Sequence, residues 1–559
     1  MPKTGGSSIY RGFDTPMPEH IKKFGVPVIS FGVIFSVLMR FLLPGLFAIG
    51  FAKYIIYSIP LFCVFFVFIY PMMQIDAKRI QIEQNIHYFI THLGVLATSD
   101  MPLKGIFELI GEKKVAYKAL ADEVEKIFKL VEYWHLSTPD AIRFIARRSP
   151  SIIFTDFLDR FAHALESGEK PDTFLMTEQD VVMREYDIMY KGALTRVTMI
   201  QEMYMSLVMS LLFMGSFAII MPLITGTDPS GMMGMTALMF LFMEIVMLFY
   251  IKSRAPKDRV WHTLDKTEKE KKVINLFPIM IVLGIILAIF SYILFPESKP
   301  QIIIAISITP LLVPGYIASK EEKKIKRRDD SYASFIRSLG ASASSRGGIV
   351  DFALKELRLH DFGALTDNIQ NLYHRTIMRI DKMKSWYHFS KETESNLIQR
   401  CNDMFIEAVD VGGNAEETGR IISDNFIHII SLRKLRYDAG SGMTGTLYGL
   451  IGGVSATFYI SLAVVQIMQE ILASSQIPEG AVGGLLEAEI SISLMNLFLV
   501  VIMFGHSLLS SMLIRFVDGG HMYTVPLHFV GMFWVGTVVS VMTVNGVNNM
   551  VGGFIVPAG

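Results

Sequence analysis

The chain alternates long apolar runs with long polar stretches, and the apolar runs reach the length a bilayer demands. A transmembrane helix needs about 20 largely apolar residues. Runs of that kind occupy Tyr54–Met73, Tyr204–Ile224, Met233–Ile251, Val273–Phe295 and Ile302–Ala318, followed by Thr444–Leu472, Ile490–Ile514 and Val525–Val544. A ninth run, Val26–Phe47, is interrupted by Arg40 and followed through Pro44 and Gly45, so a helix lying in the interface is its alternative. Between the runs lie two polar regions, about 76–200 and 320–440, each long enough for a small domain. In the first, Ile82, Ile86, Phe89, Ile90, Leu93 and Leu96 recur at three- and four-residue steps and fall on one helical face. Breaks at Ser99–Pro102, Ser137–Pro139 and Lys170–Pro171 supply helix starts, with Ser99, Asp100 or Ser137 as caps. Neither region shows the alternation of a strand. The expected fold is an all-α polytopic membrane protein, with two cytoplasmic helical bundles interleaved with about nine transmembrane helices.

Basic residues orient this arrangement, because cytoplasmic segments retain them. Lys252–Lys272 carries eight lysines and arginines and Lys320–Arg328 carries six, whereas Thr225–Met232, Ala473–Glu489 and Asn545–Gly559 carry none. Two N-terminal spans make the scheme consistent. A tail at 1–25, both polar regions and the basic loop 252–272 lie inside, two spans occupy 26–75, four occupy 201–319, and three occupy 441–559 with the C-terminus outside. Met1–Lys23 lacks the apolar core and small-residue cleavage site of a signal peptide and is read as a mostly disordered tail.

Composition agrees with a mixed chain. Of 559 residues 51% are hydrophobic, yet 19% are charged, and the mean hydropathy is +0.42. The formal net charge is zero, which removes the bulk argument for nucleic-acid binding. Two cysteines, Cys63 in an apolar run and Cys401 in a polar helix, build neither a disulfide framework nor a zinc cluster.

The two polar regions resemble each other. Phe89-Ile90-Thr91-His92-Leu93-Gly94 aligns with Phe335-Ile336-Arg337-Ser338-Leu339-Gly340, and Phe161–Gly168 aligns with Phe405–Gly412, at offsets of 246 and 244 residues. A repeat of this length is a duplicated domain rather than a solenoid unit. On these segments, on the turn at Asp100–Pro102 and on the order domain, spans, domain, spans, the chain resembles the type II secretion system F-domain family, which includes the platform proteins of secretion systems, type IV pili and archaella. The length and the four central spans around a charged loop are similar to the archaellum-type members. In the second copy Arg346-Gly347-Gly348 stands where the first has its proline-containing turn, so the turn geometry there is not carried over. The resemblance implies a multi-pass protein of the cell membrane that engages a hexameric cytoplasmic ATPase and couples it to filament subunits, archaellins or pilins. A platform of a pilus or secretion-like system is the neighbouring alternative.

Little in the chain suggests chemistry of its own, and the expectation is a non-enzyme without cofactor or metal. No Gly-x-x-x-x-Gly-Lys-Ser/Thr loop, His-Glu-x-x-His or Cys-x-x-Cys occurs. His87 and His92 are poorly spaced for one helical face, and the methionines of Met203–Met247 read as packing residues. Ser441, Gly445, Gly449 and Gly453 form a small-residue stripe that admits a close neighbouring helix. Packing within the chain is preferred there, with a homodimer seam as the alternative. Glu244 sits in the middle of an apolar run, where an ionisable group must be paired or protonated, and Arg40 is its candidate partner. A proton-coupled transporter is the rival class, but a lone acid without a relay favours a structural role. The candidate ATPase-binding residues are Lys266, Lys269, Lys271, Lys272, Lys320, Lys323, Lys324, Lys326, Arg327 and Arg328, flanking one hairpin of spans; topology and anionic headgroups alone also account for such clusters.

Overall fold

The computed structural model describes residues 17–42, 52–225, 229–474 and 491–555, and among these the secondary structure is helical apart from one isolated bridge between Trp261 and Ser395. The principal helices are α1 (Val26–Leu42), α2 (Ala52–Ala97), α3 (Leu103–Glu112), α4 (Ala119–Glu132), α5 (Thr138–Ala146), α6 (Ile152–Glu166), α7 (Pro171–Thr225), α8 (Pro229–Arg254) and α9 (Glu268–Leu294). They continue through α10 (Pro300–Ile308), α11 (Leu312–Ser344), α12 (Val350–Leu357), α13 (Thr366–Ile377), α14 (Lys382–Thr393), α15 (Asn396–Asp410), α16 (Ala415–Ser474), α17 (Ile492–Asp518) and α18 (Val525–Ile555). The chain forms two compact units, one of Met1–Tyr186 with Met404–Ile421, the other of Asp187–Asp403 with Ile422–Gly559.

In the first unit the predicted apolar face is the core. Ile82, Ile86, Phe89, Ile90, Leu93 and Leu96 of α2 are all buried. Phe89 meets Phe154 and Phe157 edge to face, the favoured geometry for two ring quadrupoles. Ser137 and Ser151 cap α5 and α6 by accepting from Asp140 N and Phe154 N. The start of α3 differs from expectation, since its cap position is Pro102 and no side chain bonds there. The segment Met404–Ile421, which the sequence places in the second module, packs in this unit. Its Glu407 accepts from Lys113 Nζ and lies 3.1 Å from His92 Nε2. Residues 17–25, read as part of a disordered tail, are a short helix and a π-helical turn running into α1.

The repeat is visible in the backbone. Non-standard φ values occur at Lys118 and Gly363 (52° and 58°), at His135 and Arg379 (51° and 54°), and at Gly168 and Gly412 (76° and 84°), in the register of the sequence match. Gly168 and Gly412 end α6 and α15 by the same motif. Gly168 N and Glu169 N donate to Leu165 O and Ala164 O, as Gly412 N and Gly413 N donate to Val409 O and Ala408 O. Only glycine adopts that backbone without steric cost. The second copy makes its early turn with Gly347 and Gly348, both at positive φ.

Seven helices among the described residues are long and apolar enough to cross a membrane, and each carries one of the predicted spans. The predicted count of about nine is approximate: the two N-terminal runs lie on α1 and α2, and residues 43–51 between them fall outside the described residues. The span at Ile302–Ala318 is interrupted by a 3-10 turn at Thr309–Leu311, where Pro310 lacks the N–H that a continuous helix would use. The last helix runs to Ile555, past the predicted Val544. Around a core of Tyr204, Val208, Phe240, Leu447, Ile451, Phe458, Met503 and Phe533, α7, α8, α16, α17 and α18 form one bundle. The hairpin of α9 and α10 closes where Gly284 meets Ser307 O, and a Cβ at Gly284 would stand 2.4 Å from that oxygen.

Candidate functional site

Two polar assemblies in the second unit are candidates, one at the membrane-helix ends and one inside the bundle. The first grows from Arg433 on α16, whose side chain is 1% exposed. Its Nε and Nη2 donate to Asp258 Oδ2 and Oδ1 at 2.6 and 2.8 Å, Nη2 also to Arg259 O at 2.9 Å, and Nη1 to Asp329 Oδ2 at 3.1 Å. A planar guanidinium suits this two-pronged grip on a carboxylate. Ser395 donates to the other oxygen of Asp329. One turn along α16, Arg436 donates to the carbonyls of Val517 (2.7 Å), Asp258 (2.9 Å) and Phe516 (3.2 Å). These contacts use carbonyls near the end of α17, where donors are needed because the helix has none of its own. Glu322 accepts from Trp261 Nε1 at 3.0 Å and from His521 N. The loop after α8, helix α11, the α14–α15 turn, α16 and the end of α17 are thereby tied at one place. Burial holds the Asp329 carboxyl up at about 6 although Arg433 pulls the other way.

Burial also lowers His262 and His521 to about 4, with nearby Lys391, and Arg515 and Lys266, respectively adding to the effect. The unfolded chain, with histidines near 6.5, therefore binds more protons below that pH than the folded chain does. Stability contributed by these two rings is present above pH 6.5 and is lost as pH falls towards 4. Melting of the detergent-solubilised chain should drop over that window, and His521→Asn with His262→Asn should flatten the slope. An unchanged slope in the double variant would refute the assignment.

The expected basic cluster divides. Lys266, Lys269, Lys271, Lys272, Lys320, Lys323 and Arg327 are exposed. Lys271 pairs with Glu268, and Lys269 lies 3.7 Å from Glu321. Lys324 and Lys326 are half-buried, Lys324 bonding Glu321 at 2.7 Å and Lys326 facing Asp518 and the ring of Tyr437. Arg328 is a correction. It is buried, donates to Thr393 O at 3.0 Å and belongs to the junction, so it presents no surface charge. Sequence reading missed Arg433, Arg436, Asp258 and Asp329. Their one signal was acids inside otherwise basic runs.

Inside the bundle, Glu244 of α8 has partners from two other helices. Its Oε1 lies 2.6 Å from His506 Nδ1 of α17 and accepts from Tyr204 Oη of α7 at 2.7 Å. Tyr204 Oη is also 3.3 Å from Ser510 Oγ, and Phe240 sets its edge against the His506 ring. Glu244, His506, Tyr204 and Ser510 are all fully buried. Arg40, the expected partner, lies on α1, and its side chain is outside the described residues. His506 and Tyr204 were missed because neither departs from the composition of a membrane helix. The small-residue stripe is another difference. Ser441, Gly445, Gly449 and Gly453 are exposed on α16, and a Cβ at any of the three glycines would meet nothing within 4 Å among the described residues. The buried face of that helix is Leu447, Leu450, Ile451 and Val454 instead. No group of three or more potential metal ligands occurs among the described residues.

Residues 89–221 match the family of type II secretion system protein F. The chain is 35% identical over 504 residues to flagella accessory protein J of Methanocaldococcus jannaschii, an alignment covering 88% of this chain and 90% of that protein. It belongs to the flagella accessory protein J family. The protein of the same description from Methanococcus voltae is 32% identical over 535 residues, covering 94% of this chain and 95% of its own length. No solved structure matches. Membership of the flagella accessory J family agrees with the apolar helices in making this a multi-pass membrane protein.

Proposed function

We propose that this flagella accessory J chain is the integral platform of an archaellum machine in the cell membrane, anchoring a cytoplasmic hexameric ATPase and coupling it to filament subunits, archaellins, as they assemble. The observation that carries the reading is helix continuity. Helices α7, α11 and α16, of 55, 33 and 60 residues, run without a break from apolar spans into the polar regions. A packed helix transmits displacement along its axis, since its interior does not compress appreciably. The buried junction at Arg433 would make α11, α16 and the loop after α8 move together. The sequence holds no phosphate-binding loop, so work would come from a nucleotide-hydrolysing partner. The open glycine stripe on α16 supports a contact with another membrane helix, such as that of a second copy or a filament subunit. The similarity to secretion protein F supports a second reading, a platform for a type IV pilus or secretion-like system.

The orientation follows basic-residue placement, with both polar modules inside. The exposed set Lys266, Lys272, Lys320, Lys323 and Arg327 would then face an acidic surface of the ATPase and steer its approach. Reversing Lys320, Lys323 and Arg327 to glutamate in the full chain, reconstituted in lipid, should weaken ATPase binding, with the deficit shrinking as salt rises. Normal affinity at every ionic strength, in a correctly inserted protein, would discard docking at this patch.

A further inference from the structure

Each polar module turns one corner in the same unusual way. In the first, α4 ends at Glu132 and Ser137 caps α5; in the second, α13 ends at Ile377 and Asp381 caps α14. Between them His135 and Arg379 hold φ of 51° and 54°. Side chains other than glycine adopt that region at a steric cost, and both copies retain such a residue there. The residues just ahead of it are large, apolar and solvent-facing. Tyr133 and Trp134 are 70% and 75% exposed, and Ile377 and Met378 at the equivalent positions are 57% and 73% exposed. Ile380 and Met383 extend the second corner, and Arg379, Lys382 and Lys384 surround it with positive charge.

We infer that these two corners are equivalent docking tips, each inserting into an acidic-rimmed apolar recess that the partner presents repeatedly, as a ring of identical ATPase subunits does. The inference rests on the platform reading. Exposed clusters of large apolar residues mark interaction sites, and tryptophan in particular anchors interfaces. The choice of a ring follows from the duplication. One chain that builds the same strained, apolar corner twice matches a partner that repeats one recess. A bilayer surface would take apolar side chains from any backbone and needs no such corner. The basic rim of the second tip calls for acidic groups opposite it.

The test uses the full chain in lipid nanodiscs with the purified ring ATPase. Trp134→Ser and Met378→Ser lie on the surface, so melting should stay at the wild-type value. Each alone should weaken binding by about 10-fold, as loss of an interface anchor does. Together they should weaken it by roughly 100-fold or more, because two-point attachment is lost. If wild type fails to bind the ATPase, the platform reading falls and this inference with it. If wild type binds and the double variant binds equally well, the inference falls alone. A change of oligomeric mass in the double variant would assign the tips to a second copy of the chain. Quenching of Trp134 by brominated lipid without ATPase, scored against Trp134→Phe, would assign the first tip to the bilayer. Either result overturns the ring.

Discussion

Replacing Arg433 with methionine will destabilise the second unit by about 3–5 kcal/mol, the cost of leaving buried carboxylates without their counter-charge. Asp258 and Asp329 both depend on it, and Asp329 is 2% exposed, so water cannot replace the lost partner. The loss is largest for this residue because its guanidinium makes four printed bonds to three acceptor residues, which no shorter or uncharged side chain reproduces. Apparent melting temperature and protease resistance of the solubilised full chain would report it. Adding Asp258→Asn and Asp329→Asn should restore part of the stability, since the penalty comes from unpaired charge rather than lost packing. A single variant that melts with wild type would remove the junction from the account of coupling.

Glu244→Leu should be nearly as damaging, whereas Glu244→Gln should be tolerated. Leucine leaves His506 Nδ1 and Tyr204 Oη without their main partner in an interior that offers no water, and each such group costs about 1–3 kcal/mol. Glutamine keeps an acceptor for Tyr204 and for a ring N–H. His506→Leu should resemble Glu244→Leu, because the same three-helix contact among α7, α8 and α17 is broken from its other side. Thermal unfolding of the three variants in one detergent gives the order. Should glutamine prove as harmful as leucine, the charge rather than the hydrogen bonding would be what the bundle needs, and a role in proton movement would return.

Local pattern was enough for much of this molecule. Ile82, Ile86, Phe89, Ile90, Leu93 and Leu96 announce their buried face because helical spacing maps one-dimensional order onto one side of a helix. Seven spans were readable because a bilayer sets a minimum apolar length that few other structures need. Gly168 and Gly412 were readable as equivalent because a left-handed helix end restricts the residue type at one position.

Partnership was not readable in the same way. Arg328 and Arg327 are neighbours of the same type, yet one is buried against Thr393 O and the other is exposed. Composition treats both as inside-facing charge, and only the turn of α11 together with the arrival of the α14–α15 segment separates them. Glu244 declared itself as a costly residue, but its partners lie 40 and 262 positions away. The glycines of α16 advertised a close approach and met none among the described residues. The sequence by itself determined which segments are helical, which are apolar enough for lipid, and that one module is present twice, since these follow from spacing and backbone preference within short windows. The tertiary structure alone decided which charges neutralise each other and which remain on the surface. That outcome depends on distances of a few ångströms between residues far apart in the chain, where burial magnifies every pairing and no local pattern records it.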